Sequence, residues 1–177
     1  DHLGTEGWHS PELTLGKLVG FPQGCTVSPA FDIWTAGLTL AAAFGCNDLL
    51  MRAPLWPDSP NGSDTLFIGG GTAEASGANA LLNLAGSRAV LAYLAGTPGY
   101  AEAVHQLPVS VQQGRVTEPT PLQEFVRLSG GCDASAAWTD DPLAYDLVAR
   151  MLQVEPASRI SASEALKHPY LRGNGDA

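Results

Sequence analysis

Two side chains in this sequence would need each other if the fold buries them. Glu12 follows Pro11 in a segment rich in glycine and proline, and a buried carboxylate is costly unless a cation pairs with it. Arg159 is a single guanidinium in an otherwise apolar passage near the other end, and a guanidinium favours bidentate pairing with a carboxylate. Each of the two residues therefore predicts a partner of opposite charge elsewhere in the chain. Taken alone, the segment around Glu12 is equally compatible with a surface turn and a solvated carboxylate.

A third ionisable residue, Asp32, stands at the start of the longest apolar run, which extends to Phe44 and contains Trp34 and Gly37. An acidic residue at the beginning of a helix complements the exposed N–H groups and the positive end of the helix dipole. A helix that is apolar on every face belongs inside a protein, and this run is too short to cross a bilayer. We therefore predict a central, buried helix that begins at Asp32.

Other patterns that could bind a ligand are weak. Three glycines at 69–71 suggest a phosphate-binding loop, but no lysine or serine follows at the required offset, which favours a flexible linker. His105 has no second ligand at metal-binding spacing and is predicted to lie on the surface. Cys25, Cys46 and Cys132 are far apart and odd in number. We therefore expect no disulfide framework and no metal site, and a reducing compartment.

Length and charge argue against several classes of protein. The 177 residues fit one domain, and 45% of them are hydrophobic, which is enough for a sizeable core. The net charge is −9, with only nine lysines and arginines, so we expect no direct nucleic-acid binding and no membrane-surface patch. No signal-peptide pattern or transmembrane run is visible in these residues. The sequence begins at Asp1 with a motif already under way, and we expect it to be part of a longer protein.

Further elements must position these residues. Glycine and proline interrupt 14–30, which we interpret as a connector into the central helix, although Pro11 suits the first position of a short helix. Proline, glycine, serine and aspartate make 53–77 an irregular insert. Apolar spacing then predicts one or two amphipathic helices over 78–94, with Gly86 as a weak point.

The middle and the end of the chain give further helix signals. A second, largely irregular insert is expected at about 107–137, with short helices at 100–106 and 121–128. Asp141 is an N-cap before Pro142, and the helix that follows is predicted to end at Pro156. Its predicted apolar stripe consists of Leu143, Leu147, Val148, Met151 and Leu152.

A capping box predicts the last helix. Ser161 and Glu164 stand at the spacing at which each side chain bonds to the other's backbone N–H. The helix is predicted over 162–167 with a stop at Pro169, and 173–177 is a tail. The whole chain is therefore predicted to be mainly α-helical.

Five short motifs stand in a fixed order along the chain. They are Gly4-Thr5, Ser10-Pro11-Glu12, Asp32-Ile33-Trp34-Thr35-Ala36-Gly37, Pro156-Ala157-Ser158-Arg159-Ile160 and Glu164-Ala165-Leu166-Lys167-His168-Pro169-Tyr170. In this order they resemble the C-terminal lobe of eukaryotic protein kinases. The resemblance covers nearly the whole chain, but only in patches between 57 and 137. It implies the helical C-terminal lobe of a protein-kinase-like fold, with residues 1–172 as the C-terminal part of the kinase domain.

Within that family the chain is most similar to the cell-division-cycle-seven kinases, which are serine/threonine kinases that license DNA replication. The similarity lies in the Gly-Thr-x-Gly-aromatic pattern at 4–8, in Gly86-Ser87-Arg88 and in Ala144-Tyr145-Asp146-Leu147. It implies a protein substrate, transfer of the γ-phosphate of ATP to serine or threonine, and a possible regulatory subunit. It also implies an intracellular location, nuclear or cytoplasmic.

The resemblance assigns supporting roles to residues of this chain. Thr5 would contact the catalytic aspartate and favour a serine or threonine acceptor, and the substrate-binding residues would be Gly4, Thr5, Gly7 and Trp8. The Glu12–Arg159 pair would tie that loop to the final helices. Asp32 would accept N–H bonds from the catalytic loop and, without that loop, should face an open groove or solvent. Trp34 and Gly37 would be structural residues of the central helix.

The groups that carry out phosphoryl transfer are missing from these residues. The sequence has no glycine-rich phosphate loop, no strand lysine, no catalytic loop with its aspartate and asparagine, and no Asp-Phe-Gly. ATP and magnesium are therefore expected only with an intact parent, and the piece alone is expected to be inactive. Ser10 replaces the usual alanine, and His9 replaces an arginine, which puts a preference for acidic flanking residues in doubt. The alternatives are a pseudokinase scaffold and an unrelated helical interaction domain.

Overall fold

A computed structural model describes residues 8–18, 28–46, 73–96, 100–105, 107–128 and 137–173. Within these ranges the regular structure is helical and no β-strand is present. The helices are α1 (Pro11–Leu18), α2 (Pro29–Ala43), α3 (Ala73–Ala95), α4 (Tyr100–His105), α5 (Val109–Gln112), α6 (Leu122–Leu128), α7 (Pro142–Met151), α8 (Ala162–Ala165) and α9 (Pro169–Arg172). Among the described residues, no helix combines the length and apolarity that a membrane span requires.

The central helix α2 contributes Ile33, Trp34, Leu38 and Ala41 to the core. It begins at Pro29, before the predicted start, because Pro29 occupies its first turn and Ser28 is its extended N-cap. Asp32 therefore lies in the first turn rather than at the helix start. The prediction of a helix buried on every side is wrong, since Asp32, Thr39 and Ala43 are exposed.

Helices α2 and α7 pack against each other, and Gly37 lies where they meet. A Cβ atom at this position would lie 2.8 Å from the Cβ of Met151 and 3.0 Å from a methyl group of Leu152. Contacts this short require a backbone shift or a loss of packing. Glycine here permits the two helices to approach, which is a structural role for Gly37.

Helix α1 packs against α3 and buries Leu13 and Leu15. The prediction of a connector from residue 14 is therefore wrong over the second half of α1, where burial of Leu15 outweighs the breaking tendency of Gly16. Helix α3 starts at Ala73, inside the segment expected to be irregular. It is interrupted at Gly86, whose φ of 77° and ψ of 155° end one helix and begin another, as predicted.

The helices predicted near 100–106 and 121–128 are present as α4 and α6. Helix α5 was not predicted, and its Val111 is buried, so less of 107–137 is irregular than expected. His105 is exposed, as predicted. Cys46 is disulfide-bonded, contrary to the expectation for the cysteines, and the other two cysteines lie outside the described residues.

The C-terminal helix signals are confirmed at their starts and less well at their ends. Asp141 caps α7 by accepting hydrogen bonds from the N–H groups of Leu143 and Ala144. The helix stops at Met151, and Pro156 opens a 3-10 turn instead of ending α7. Leu143 is 40% exposed and does not belong to the buried stripe.

A helix is present where one was predicted over 162–167, and a second helix, α9, follows it from Pro169, where only a stop was predicted. The Ser161–Glu164 capping box is present, but α8 ends at Ala165. Pro169 then occupies the first turn of α9, because proline suits this position. Proline therefore starts a helix here in addition to limiting the one before it.

Candidate functional site

Glu12 and Arg159 meet in a bidentate ion pair, as the sequence predicts. The Nη1 of Arg159 donates to Oε1 of Glu12 at 2.8 Å, and Nη2 donates to Oε2 at 2.7 Å. The side chain of Arg159 is 0% exposed and that of Glu12 is 17% exposed. The alternative of a solvated surface carboxylate is therefore wrong. We call this pair, with the backbone groups that Arg159 contacts, the clamp.

The other N–H groups of Arg159 donate to three backbone carbonyls. Nη1 donates to Ala30 at 2.7 Å, Nη2 to Val154 at 3.0 Å and Nε to Gln153 at 2.6 Å. A guanidinium has five N–H donors in a fixed plane. The three bonds to carbonyls and the two bonds to Glu12 make five hydrogen bonds in total. A buried cation is tolerated when its donors are satisfied in this way.

Trp34 adds an aromatic face to the clamp. The Cζ of Arg159 lies 5.3 Å from the centroid of the Trp34 ring, within the range of a cation–π contact. Trp34 is 0% exposed. Its Nε1 makes no hydrogen bond with the part of the chain that the structure describes. Trp34 therefore contacts Arg159 through the face of its ring, which is a structural role.

Local sequence explains why these groups converge. Pro11 starts α1, so Glu12 lies in the first turn, and Ser10 accepts a hydrogen bond from the N–H of Leu13 at 3.4 Å. On the other side, the 3-10 turn Pro156–Ser158 ends directly before Arg159. The clamp thus joins α1, the first turn of α2 and the segment that follows α7.

The remaining predicted site residues differ in where they lie. Gly4, Thr5 and Gly7 fall outside the described residues, so the structure does not test their roles. Trp8 is half-buried and packs against the main core, and Asp32 is exposed, as predicted. The structure therefore brings Glu12, Arg159 and Trp34 together and leaves Asp32 on the surface.

A second polar cluster was not predicted from the sequence; it consists of Asp146, Arg150 and His168, and we call it the Asp146 cluster. The Nδ1 of His168 accepts a hydrogen bond from the N–H of Tyr170 at 3.2 Å, so the ring proton lies on Nε2, which donates to Asp146 Oδ2 at 2.9 Å. Arg150 Nε lies 2.9 Å from the same oxygen. The hydrogen bond from His168, followed by that from Arg150, holds the pKa of the Asp146 carboxyl below its ordinary value. The signal available in the sequence was the position of His168 directly before Pro169, where its side chain caps α9.

The described residues offer no cluster of side chains that would hold a magnesium ion. Among the helices and turns that the structure places, no group of three or more histidine, cysteine, aspartate and glutamate side chains could hold a metal. Magnesium prefers octahedral oxygen ligands, and phosphoryl transfer needs it next to the phosphates. Within the described residues, the two polar clusters hold helices together.

Comparison with known proteins identifies the relatives of this architecture. No family model matches the chain. Serine/threonine-protein kinase SSN3 of Aspergillus oryzae is 24% identical over 95% of this chain and 38% of its own length. Mitogen-activated protein kinase 10 of Arabidopsis thaliana is 28% identical over 97% of this chain and 32% of its own length. "Probable serine/threonine-protein kinase cdc7" of Dictyostelium discoideum is 27% identical over 95% of this chain and 12% of its own length.

These relatives and the helical architecture define the class of fold. The chain has the mainly α-helical C-terminal lobe of a protein-kinase-like fold, and it resembles serine/threonine protein kinases over most of its length. The resemblance extends to several kinds of kinase and is not specific to one of them. The chain spans between 12% and 38% of the length of the three relatives.

Proposed function

We propose that this chain is the C-terminal part of the catalytic domain of a serine/threonine protein kinase. In the intact parent, ATP and magnesium would be bound by residues outside this chain, and the γ-phosphate would pass to a serine or threonine of a protein substrate. This piece would supply the substrate-recognition loop at 4–8 and the lobe that holds it. Alone it would not transfer phosphate.

The observation that carries this proposal is the clamp. It fixes the start of α1, directly after the predicted substrate loop, to the segment that precedes α8. A loop attached to a rigid scaffold is the arrangement that positions a substrate for reaction. The alignment with serine/threonine kinases over most of the chain supports the same conclusion.

The test is a phosphotransfer assay on the parent protein that contains this chain. We expect incorporation of labelled γ-phosphate into a serine- and threonine-containing peptide library, and none into the matched tyrosine library. Thr5→Ala should lower kcat, while Thr5→Ser should retain most of it, because a hydroxyl is kept. A folded parent that transfers no phosphate to either library would instead support the pseudokinase scaffold.

We also propose a role in cell-cycle or DNA-replication control, a nuclear or cytoplasmic location and a possible regulatory subunit. Support comes from the motifs at 4–8 and 86–88 and from the similarity to the Dictyostelium protein. Purification of the tagged parent from replicating cells is the test. Recovery of a stoichiometric partner that stimulates phosphotransfer is expected, and full activity of the isolated single chain would contradict the regulatory subunit.

A further inference from the structure

We propose that a cleft between α3 and α7 is a docking site for a short basic peptide segment of a partner protein with a leucine-like anchor. We call it the Leu122 cleft. It has a volume of about 360 Å³, and its walls come from α3, from the segment 119–122, from α7 and from the segment that follows α7. The cleft shares Gln153 and Val154 with the clamp, but it includes neither Glu12 nor Arg159 nor the predicted substrate loop, so the proposal does not rest on the proposed function.

The cleft has an apolar interior. Leu122 and Leu152 are buried beneath it, and Leu84, Ala89 and Val154 line its sides. Ala89 is exposed and Leu84 and Val154 are half-buried, so these side chains remain accessible to a ligand. A volume at the lower end of the range for binding pockets suits one or two aliphatic side chains.

One wall of the cleft is held in place by hydrogen bonds. Ser87 accepts a hydrogen bond from the N–H of Thr117 at 2.9 Å and donates to the carbonyl of Arg115 at 3.2 Å. The N–H of Thr120 donates to the carbonyl of Asn83 at 2.8 Å. A Cβ at Gly86 would lie 2.6 Å from the carbonyl oxygen of Thr117, so glycine lets this wall approach α3. A site formed before binding loses less entropy when it is occupied.

The charge on the lining of the cleft favours a basic occupant. Of the described residues that line the cleft, Glu155 alone carries a formal charge at neutral pH. Its side chain is exposed. Its carboxylate forms no ion pair or hydrogen bond with the described part of the chain. Arg88 is exposed next to Ala89 on α3 but does not line the cleft. With a net charge of −9 on the whole chain, long-range attraction also favours a basic partner.

The test uses three labelled seven-residue peptides and the 177-residue chain. The first has three lysines around two leucines, the second replaces the lysines by glutamates, and the third replaces the leucines by serines. Fluorescence anisotropy at physiological salt should show saturable binding of the first peptide only. Absence of binding by the first peptide, or equal binding of the third, would overturn the proposal. Tighter binding of the acidic peptide would show that the cleft prefers a negatively charged ligand, and it would also overturn the proposal.

Two variants locate the binding, and a third is the control. Ala89→Trp fills the cleft from an exposed helical position and should abolish binding. Glu155→Gln should weaken binding about threefold to fivefold, as expected for an exposed ion pair. Glu118→Gln removes another exposed carboxylate, which does not line the cleft, and should change affinity less than about twofold. Thermal melts of all three should match the unmodified chain. Unchanged affinity in Ala89→Trp, or an equal loss in both glutamine variants, would contradict docking in the cleft.

Discussion

The clamp and the Asp146 cluster are both built from a carboxylate and basic side chains, yet they differ in burial and in sequence separation. Glu12 and Arg159 are 147 residues apart, and the Arg159 side chain is 0% exposed. Asp146 and Arg150 are one helical turn apart, with side chains 43% and 58% exposed. A buried pair must be fully bonded to be tolerated, whereas an exposed pair is screened by water. We therefore expect the clamp to support the fold and the exposed pair to contribute little.

The largest expected effect is that of removing the base of the clamp. Arg159→Ala leaves the Glu12 carboxylate in its half-buried site without a partner, and also frees three backbone carbonyls. We expect the free energy of unfolding to fall by about 3–5 kcal/mol, measured by urea denaturation of the 177-residue chain. Arg159→Lys should recover part of this loss because it keeps the charge without the bidentate geometry. A urea denaturation curve identical to that of the unmodified chain would exclude a buried ion pair.

Neutralising the acid of the clamp should have a smaller effect. Glu12→Gln keeps one carbonyl acceptor for Arg159 but turns an amide NH₂ group toward its second donor. We expect a loss of about 1–3 kcal/mol in the free energy of unfolding. The control is Glu118→Gln, an exposed glutamate, which should leave the stability unchanged. A loss in the control as large as in Glu12→Gln would point to net charge instead of the clamp.

Breaking the exposed pair should have only a slight effect. Arg150→Ala is expected to lower the free energy of unfolding by about 0.2–1 kcal/mol, and less in 1 M salt, where the charges are screened. Urea denaturation at low and high salt measures both effects. A loss as large as that of Arg159→Ala would remove the contrast between the two sites.

The smallest expected effect is a dependence on pH. The pKa of Asp146 lies below its ordinary value of 3.8 in the folded chain, chiefly because His168 donates a hydrogen bond to it. A carboxyl group with a lowered folded pKa stabilises the fold above its unfolded pKa, and the contribution is lost as pH falls through the folded value. The difference in stability between the unmodified chain and Asp146→Asn should therefore shrink below about pH 4. A difference that grows on acidification would have the wrong sign.

The clamp could be predicted because Glu12 and Arg159 each need a partner of opposite charge in apolar surroundings, and because the resemblance to protein kinases pairs them. The start of α7 was predicted because Asp141 and Pro142 act on their own helix, and the capping box of α8 because Ser161 and Glu164 do the same. These signals are local, or they concern two residues of opposite charge. They do not depend on how the rest of the chain packs.

The features that were missed depend on tertiary packing. Helix α1 continues beyond residue 14 because Leu15 is buried among other helices, whereas Gly16 alone suggests a break. The exposed side of α2 carries Thr39 and Ala43, whose types do not distinguish surface from core. The Asp146–His168 contact joins two helices, and the type of neither residue predicts the other as its partner. The predicted roles of Gly4, Thr5 and Gly7 stay predictions.

The most direct test of the clamp is a pair of double-mutant cycles on the 177-residue chain. One cycle combines Glu12→Gln with Arg159→Ala, and the other combines Asp146→Asn with Arg150→Ala. We predict a coupling energy of at least about 1.5 kcal/mol for the clamp, since residues of one buried network couple strongly, and below about 0.5 kcal/mol for the exposed pair. A clamp coupling no larger than that of the exposed pair would contradict the conclusion that Glu12 and Arg159 hold the first and last parts of this lobe together.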